Sequence, residues 1–86
     1  MDTNEIDPGF HQSAQDGWNA YSQKDYSHAE AGFRHALSLN PDDLDSLYAL
    51  GMVLRYAGNS SAAEQVFRDL IKMLAWQEPS ASHRMI

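Results

Sequence analysis

The chain contains no cysteine, so no disulfide braces the fold and no thiolate is available to a metal. It also has no stretch approaching the roughly 18 consecutive apolar residues that mark a membrane span. The segment Met1 to Asp7 is acidic and has no apolar run, which argues against a secretory signal. A cytoplasmic address is the expectation from these absences. Basic residues are few: 6 Lys and Arg face 12 Asp and Glu, for a net charge of −6. Such a chain repels phosphate backbones, and its cations are scattered, so nucleic acid is not an expected partner. The acidity serves solubility or steers a basic peptide.

Reaction chemistry is equally sparse. There is no glycine-rich phosphate loop, and no serine sits in a nucleophile-elbow setting. His28 and His35 are seven residues apart, about two turns of a helix, too far to share one ion at ordinary bond lengths. With His11 and His83 they read as solvent-facing side chains. The run Asp42-Asp43-Leu44-Asp45 lacks the glycine and the distal glutamate of a calcium loop, and helix capping accounts for it. Asp16 has no basic neighbour in sequence to make it an acid or base. The expectation is a non-enzymatic protein with no catalytic residue, no metal ligand and no cofactor.

What the chain does have is an internal repeat. Ser27-His28-Ala29-Glu30-Ala31-Gly32-Phe33-Arg34 returns 34 residues later as Ser61-Ala62-Ala63-Glu64-Gln65-Val66-Phe67-Arg68, and Gly17 and Gly51 keep the same offset. A period of this length indicates stacked two-helix units, each unable to bury its apolar face alone. At 86 residues, 43% of them apolar, one small domain is expected.

Four helices can be read. Asp7 and Pro8 suit a cap and first helical position, opening a helix from Pro8 to about Gln23 with Phe10, Ala14, Trp18 and Tyr21 on one face. Ser27-x-x-Glu30 reads as a capping box for a second helix ending near Leu39, with Ala29, Phe33, Ala36 and Leu37 on its buried stripe. Asn40-Pro41 stops that helix. Asp42 or Asp43 caps a third helix, apolar on more than one face as suits the middle of a stack, and Gly58 is placed to end it in the left-handed conformation. Ser61-x-x-Glu64 reads as a second capping box. The fourth helix carries Ala63, Val66, Phe67, Leu70, Ile71 and Leu74, with Trp76 near its end and Pro79 beyond.

This pattern resembles the tetratricopeptide repeat, whose units show Trp-x2-Leu-Gly-x2-Tyr, then Ala-x3-Phe, an Ala and a closing Pro. The second copy supplies Leu47-x-x-Leu50-Gly51-x-x-Leu54, Ala63-x-x-x-Phe67 and Leu70. The first supplies Gly17, Ala29-x-x-x-Phe33, Ala36 and Pro41, with an Asp25-Tyr26 turn. Ser13, Asp16 and Ala20 replace the Trp, Leu and Tyr of the first copy, making its outer edge more polar. Ala75 replaces the closing proline of the second copy, so the fourth helix runs longer or leaves irregularly. The resemblance implies an all-α fold of two stacked antiparallel helix-turn-helix repeats in a short right-handed solenoid. The expected segments are an acidic N-terminal stretch (1–7), a repeat domain (8–78, with units at about 10–43 and 44–77) and a C-terminal tail (79–86). It further implies that the glycines leave room where the helices of a unit cross, and that Phe33 and Phe67 fill the gap between neighbouring units. Phe67→Ala is then expected to cost on the order of 3–5 kcal/mol.

Two surfaces follow. Family members hold a peptide or helix in a groove lined by the first helix of each unit. Carried over by register, that groove contains His11, Ala14, Trp18, Tyr21 and Ser22 from one unit and Asp45, Tyr48, Met52, Arg55 and Tyr56 from the other. Either these aromatic residues meet a partner's apolar anchors, or Trp18 and Tyr48 pack against each other. Ala14, Trp18 and Ala49 occupy positions where one subgroup carries the Lys and Asn side chains of a carboxylate clamp, so a clamp of that sort is not expected. The second surface is the far side of the last helix, where Val66, Leu70, Ile71, Leu74 and Trp76 offer more apolar area than one neighbour covers. The functional expectation is a protein-interaction module, a small adaptor or chaperone-like assembly factor binding a peptide or helix of another protein. The alternative is a structural protein that assembles with copies of itself through its end faces.

Overall fold

The computed structural model describes residues 8–76, and these form four helices: α1 (Pro8–Ser22), α2 (Tyr26–Leu39), α3 (Leu44–Tyr56) and α4 (Ser60–Trp76). No strand occurs among the described residues. The expected N-terminal cap Asp7, the acidic segment 1–7, Pro79 and the tail 79–86 lie outside them. The helices pack in chain order, α1 on α2, α2 on α3 and α3 on α4, which makes two antiparallel hairpins side by side. The all-α, stacked-hairpin architecture expected from the repeat is the one observed.

The caps differ from the sequence reading in a consistent way. Each second helix begins one residue before the expected serine and is capped by the residue two before it. Asp25 precedes α2, and its carboxylate accepts from the His28 backbone N–H at 3.4 Å. Asn59 precedes α4 and accepts through Oδ1 from the Ala62 N–H, also at 3.4 Å. Ser27 and Ser61 are therefore helical residues, not caps. Their glutamates instead reach forward to arginines, Glu30 to Arg34 at 2.8 Å and Glu64 to Arg68 at 3.2 Å. The reason lies one turn upstream, where the preceding helix closes in the same way in both units. Asp25 N–H bonds the Ala20 carbonyl and Lys24 N–H the Tyr21 carbonyl; Asn59 N–H bonds Leu54 and Gly58 N–H bonds Arg55. This paired closure is a Schellman motif, which requires a left-handed residue between the two helices. Gly58 meets that requirement at φ 91°, whereas in the first unit Lys24 adopts φ 61° with a side chain in place. The motif fixes where each following helix starts and leaves Asp25 or Asn59 at the cap. Asp43 caps α3, as one of the two expected residues, accepting from Ser46 N–H at 2.9 Å.

Packing within each hairpin centres on a phenylalanine lying on a glycine. A Cβ added at Gly17 would fall 2.9 Å from the Phe33 ring, and one at Gly51 would fall 2.5 Å from the Phe67 ring. Each ring thus rests on the glycine of its own unit; Phe33 also packs against α3 of the next unit, as expected, whereas Phe67 has no described helix beyond it. They are not equally buried: Phe33 is wholly enclosed, whereas Phe67 is half-buried. Gly32 brings α2 close to α1, since a Cβ there would lie 2.8 Å from the Gly17 Cα; the same register position on α4 is Val66. This close crossing turns the buried face of α1 away from the expected one. Phe10, Ser13, Gly17 and Ala20 are buried, while Trp18 moves to the flank. Ser13 and Ala20 accordingly belong to the interior and not to a polar outer edge. The Ser13 hydroxyl meets His35 Nδ1 at 2.6 Å, so this buried polar group has a partner and His35 is anchored rather than merely solvated.

α3 is enclosed on two sides, with Ser46, Leu47, Ala49, Leu50, Gly51, Val53 and Leu54 all buried. Gly51 looks towards Phe67 on α4. By helix periodicity Ser46, Ala49 and Val53 face the other way, towards the first hairpin, where small side chains let α3 settle onto α2. The central core joins Ala20, Ala29 and Phe33 from the first unit to Ala49, Leu50, Val53, Leu54 and Ala63 from the second. With no proline at Ala75, α4 continues for 17 residues against 14 in α2, the longer of the two expected outcomes.

Candidate functional site

The aromatic residues gather at the seam between the hairpins. Trp18 meets Phe33 edge-on at 5.0 Å between ring centroids and Tyr21 at 5.8 Å. Tyr21 lies 6.2 Å from both Tyr26 and Tyr56, and Tyr26 stacks on Tyr56 at 5.7 Å. The result is a continuous ring cluster rooted on the buried Phe33. Its outer members remain accessible: Trp18 is 40% exposed and Tyr56 59%. Burial raises the Tyr21 phenol above its ordinary value of 10.0, and the neighbouring Tyr56 adds to the rise. Burial acts this way because a phenolate surrounded by rings is poorly solvated.

Tyr48 stands apart from this cluster. Its ring touches Phe67 at 6.2 Å, and among the described residues no ring contact joins it to Trp18. The expected Trp18–Tyr48 packing is therefore replaced by two separate anchorages, each on the phenylalanine of its own hairpin. Tyr48 is 53% exposed and Met52 is half-buried one turn further along α3. His11 is exposed and rests edge-on against Phe10 at 5.2 Å. Of the groove residues, the structure thus brings Trp18, Tyr21 and Tyr56 together and adds Tyr26, which sequence reading assigned only to a turn. Ala49 is buried in the seam and does not line a surface.

Arg55 goes elsewhere. With Ser60, Ala63, Glu64, Phe67, Arg68 and Ile71 it lines a hollow of about 420 Å³ at the open end of the second hairpin. Ile71 is 64% exposed and Leu74 44%, so these two of the expected end-face residues present apolar area. Val66 packs against the core and Leu70 is half-buried, because both turn towards α3. The Trp76 backbone closes α4, but its side chain lies outside those described. Sequence reading missed Ser60, Glu64, Phe67 and Arg68 as lining residues of this hollow, whose floor is the buried Ala63. The signal was present: one repeat earlier stand Tyr26, Ala29 and Phe33, in the core that α2 shares with α3.

The histidines are taken up locally, His35 with Ser13 and His28 with the Asp25 carboxylate at 2.7 Å. Among the described residues no group of three or more His, Cys, Asp or Glu converges as a metal site would need. None of the described helices is long and apolar enough to cross a membrane.

Comparison with known proteins agrees with this architecture. A family model described as tetratricopeptide repeat matches residues 33–65, from the middle of α2 through α3 into α4. The chain is 40% identical over 57 residues to cellulose synthase operon protein C of Komagataeibacter xylinus. That match takes in 66% of this chain but 4% of the relative, so the chain spans a small part of its length. No solved structure matches. Repeats of this family mediate protein–protein interaction and are typically not catalytic. The 34-residue period, the paired Gly–Phe crossings and the family match lead to one conclusion: the described helices form two repeats of the tetratricopeptide kind.

Proposed function

We propose that this protein is an adaptor or chaperone-like assembly factor that holds a segment of a partner protein on its aromatic seam. The observation that carries this reading is the ring cluster Trp18, Tyr21, Tyr26 and Tyr56, which is rooted on a buried phenylalanine and open on its outer side. Rigid aromatic side chains supply contact area at little entropic cost, and truncating such anchors removes most of an interface's affinity. Tyr48 and Met52 extend the surface along α3 and suit apolar side chains of the bound segment. The net charge of −6 favours a basic segment here.

The test is capture of partners from the native cell by crosslinking, with the intact protein against Trp18→Ala/Tyr56→Ala. Both rings are exposed to solvent, so the double variant should keep its helix content and lose the crosslinked partner. Retention of the same partner by a folded double variant would overturn the reading.

The self-assembling alternative meets a specific obstacle. A head-to-tail array needs α1 of one copy to sit on α4 of the next, as α3 sits on α2. Where α3 presents Ser46, Ala49, Leu50 and Val53, α1 presents Gln12, Gln15, Asp16 and Asn19, all exposed, with Gln12 donating to Asp16 at 2.9 Å. That face suits water better than the apolar end of α4.

A further inference from the structure

The internal repeat provides a template for what would cover the far face of α4, beyond which no helix is described. In the first hairpin, Tyr26, Ala29, Phe33 and Leu37 form the α2 face onto which α3 packs, and Phe33 is thereby closed off from water. Thirty-four residues on, Ser60, Ala63, Phe67 and Ile71 form the same stripe on α4, and the hollow of about 420 Å³ lies over it. The missing neighbour therefore has the shape of a helix. Its chemistry differs from that of α3 at one end. In the covered seam Tyr56 of α3 lies over Tyr21 and Tyr26, but in the open hollow Arg55 stands for Tyr21 and Ser60 for Tyr26. A ring at that place would meet a cation and a hydroxyl instead of two rings.

Charge gives the same direction. Arg34 and Arg68 each pair with the glutamate four residues before them, whereas Gly51 precedes Arg55 by four and no carboxylate meets Arg55 among the described residues. The hollow is lined by Arg55, Arg68 and Glu64, a local charge of +1 on a chain of net −6. This is the reverse of the charge that the rest of the chain presents. A second copy is a poor occupant, because two-fold pairing through this face would bring its arginines together and both chains are acidic.

We propose that the open end of the second hairpin is a docking site for an acidic amphipathic helix of a partner protein. Small apolar residues of that helix pack on Phe67 and Ile71, over the buried Ala63, and a carboxylate near its C-terminal end meets Arg55. This site is separate from the aromatic seam and does not depend on the reading given to it.

The test uses the full-length protein and two synthetic capped peptides of residues 42–58. One carries Tyr56→Glu, which sets a carboxylate opposite Arg55, and the other carries Tyr56→Lys. Calorimetric titration at low salt should give the Glu peptide about tenfold tighter binding than the Lys peptide, with the gap shrinking as salt rises. Arg55→Glu in the protein should invert the preference, and Ile71→Asp should abolish binding of both; each residue is exposed, so neither change disturbs the core. Equal binding of the two peptides, no binding of either, or a preference that survives Arg55→Glu would overturn the proposal. So would a sedimentation mass of two chains that Ile71→Asp reduces to one, since the occupant would then be a second copy.

Discussion

The two hairpins are built on one plan and end in different conditions. Both place a phenylalanine on a glycine, both close the first helix with the same pair of hydrogen bonds, and both cap the second helix with Asp25 or Asn59 at equivalent positions. Yet Phe33 is sealed while Phe67 is only half-buried, and Leu37 is half-buried while its counterpart Ile71 is 64% exposed. The cause is position in the stack. The first hairpin is covered by α3, and the second has no described helix beyond it. Equal sequences therefore acquire unequal energetic weight, because burial is a property of the neighbour as much as of the residue.

The comparison can be broken most forcefully at the phenylalanines. Phe33→Ala should destabilise the protein by about 3–5 kcal/mol, the usual range for emptying a sealed aromatic site. Phe67→Ala should cost roughly half of that, since part of its ring already meets water. Denaturant unfolding of both variants measures the gap, and equal losses would contradict the asymmetry. Next is the crossing distance. Gly32→Val writes the second hairpin's residue into the first, where a Cβ would strike the Gly17 backbone at 2.8 Å. The expected cost is about 1–3 kcal/mol of overpacking, read from the same unfolding curves. A neutral result would mean that α1 and α2 separate as readily as α3 and α4.

Smaller effects sharpen the likeness of the two turns. Gly58 has open space around it, so Gly58→Ala should cost only its left-handed strain, about 1 kcal/mol. Lys24→Gly should recover up to about that amount, because Lys24 bears the same strain with a side chain. Thermal melts of the two variants should move in opposite directions. The smallest effect is one of pH. Tyr21 holds its proton above the ordinary phenol value of 10.0, so its stabilising contribution is complete below that value. Above it the unfolded chain releases this proton first, and stability falls as pH rises towards the folded value. Tyr21→Phe should flatten that alkaline slope.

Much of the fold was legible from the period alone. Gly17 with Phe33 and Gly51 with Phe67 are spaced so that a helical hairpin must bring them together, and Ala29, Ala36 and Ala63 mark the close faces. The caps were less legible. Ser27-x-x-Glu30 satisfies a local rule, but the Schellman closure upstream decides where the helix starts, and that closure is a backbone geometry which Lys24 does not advertise as Gly58 does. The buried face of α1 was misread for a related reason. Trp18 is its largest ring, yet the helices approach so closely at Gly17 and Gly32 that a large ring has room only at the flank.

The candidate surfaces were legible as residue types and not as places. The sequence by itself determined the two hairpins and the apolar stripe of α4, because these depend on local periodicity and composition. Only the tertiary structure decided that Tyr26 joins Trp18, Tyr21 and Tyr56, that Tyr48 belongs to Phe67, and that Arg55 borders the open hollow. Those assignments depend on how far one helix is rotated and advanced against the next, which small differences in interhelical contact fix and no single-helix pattern encodes.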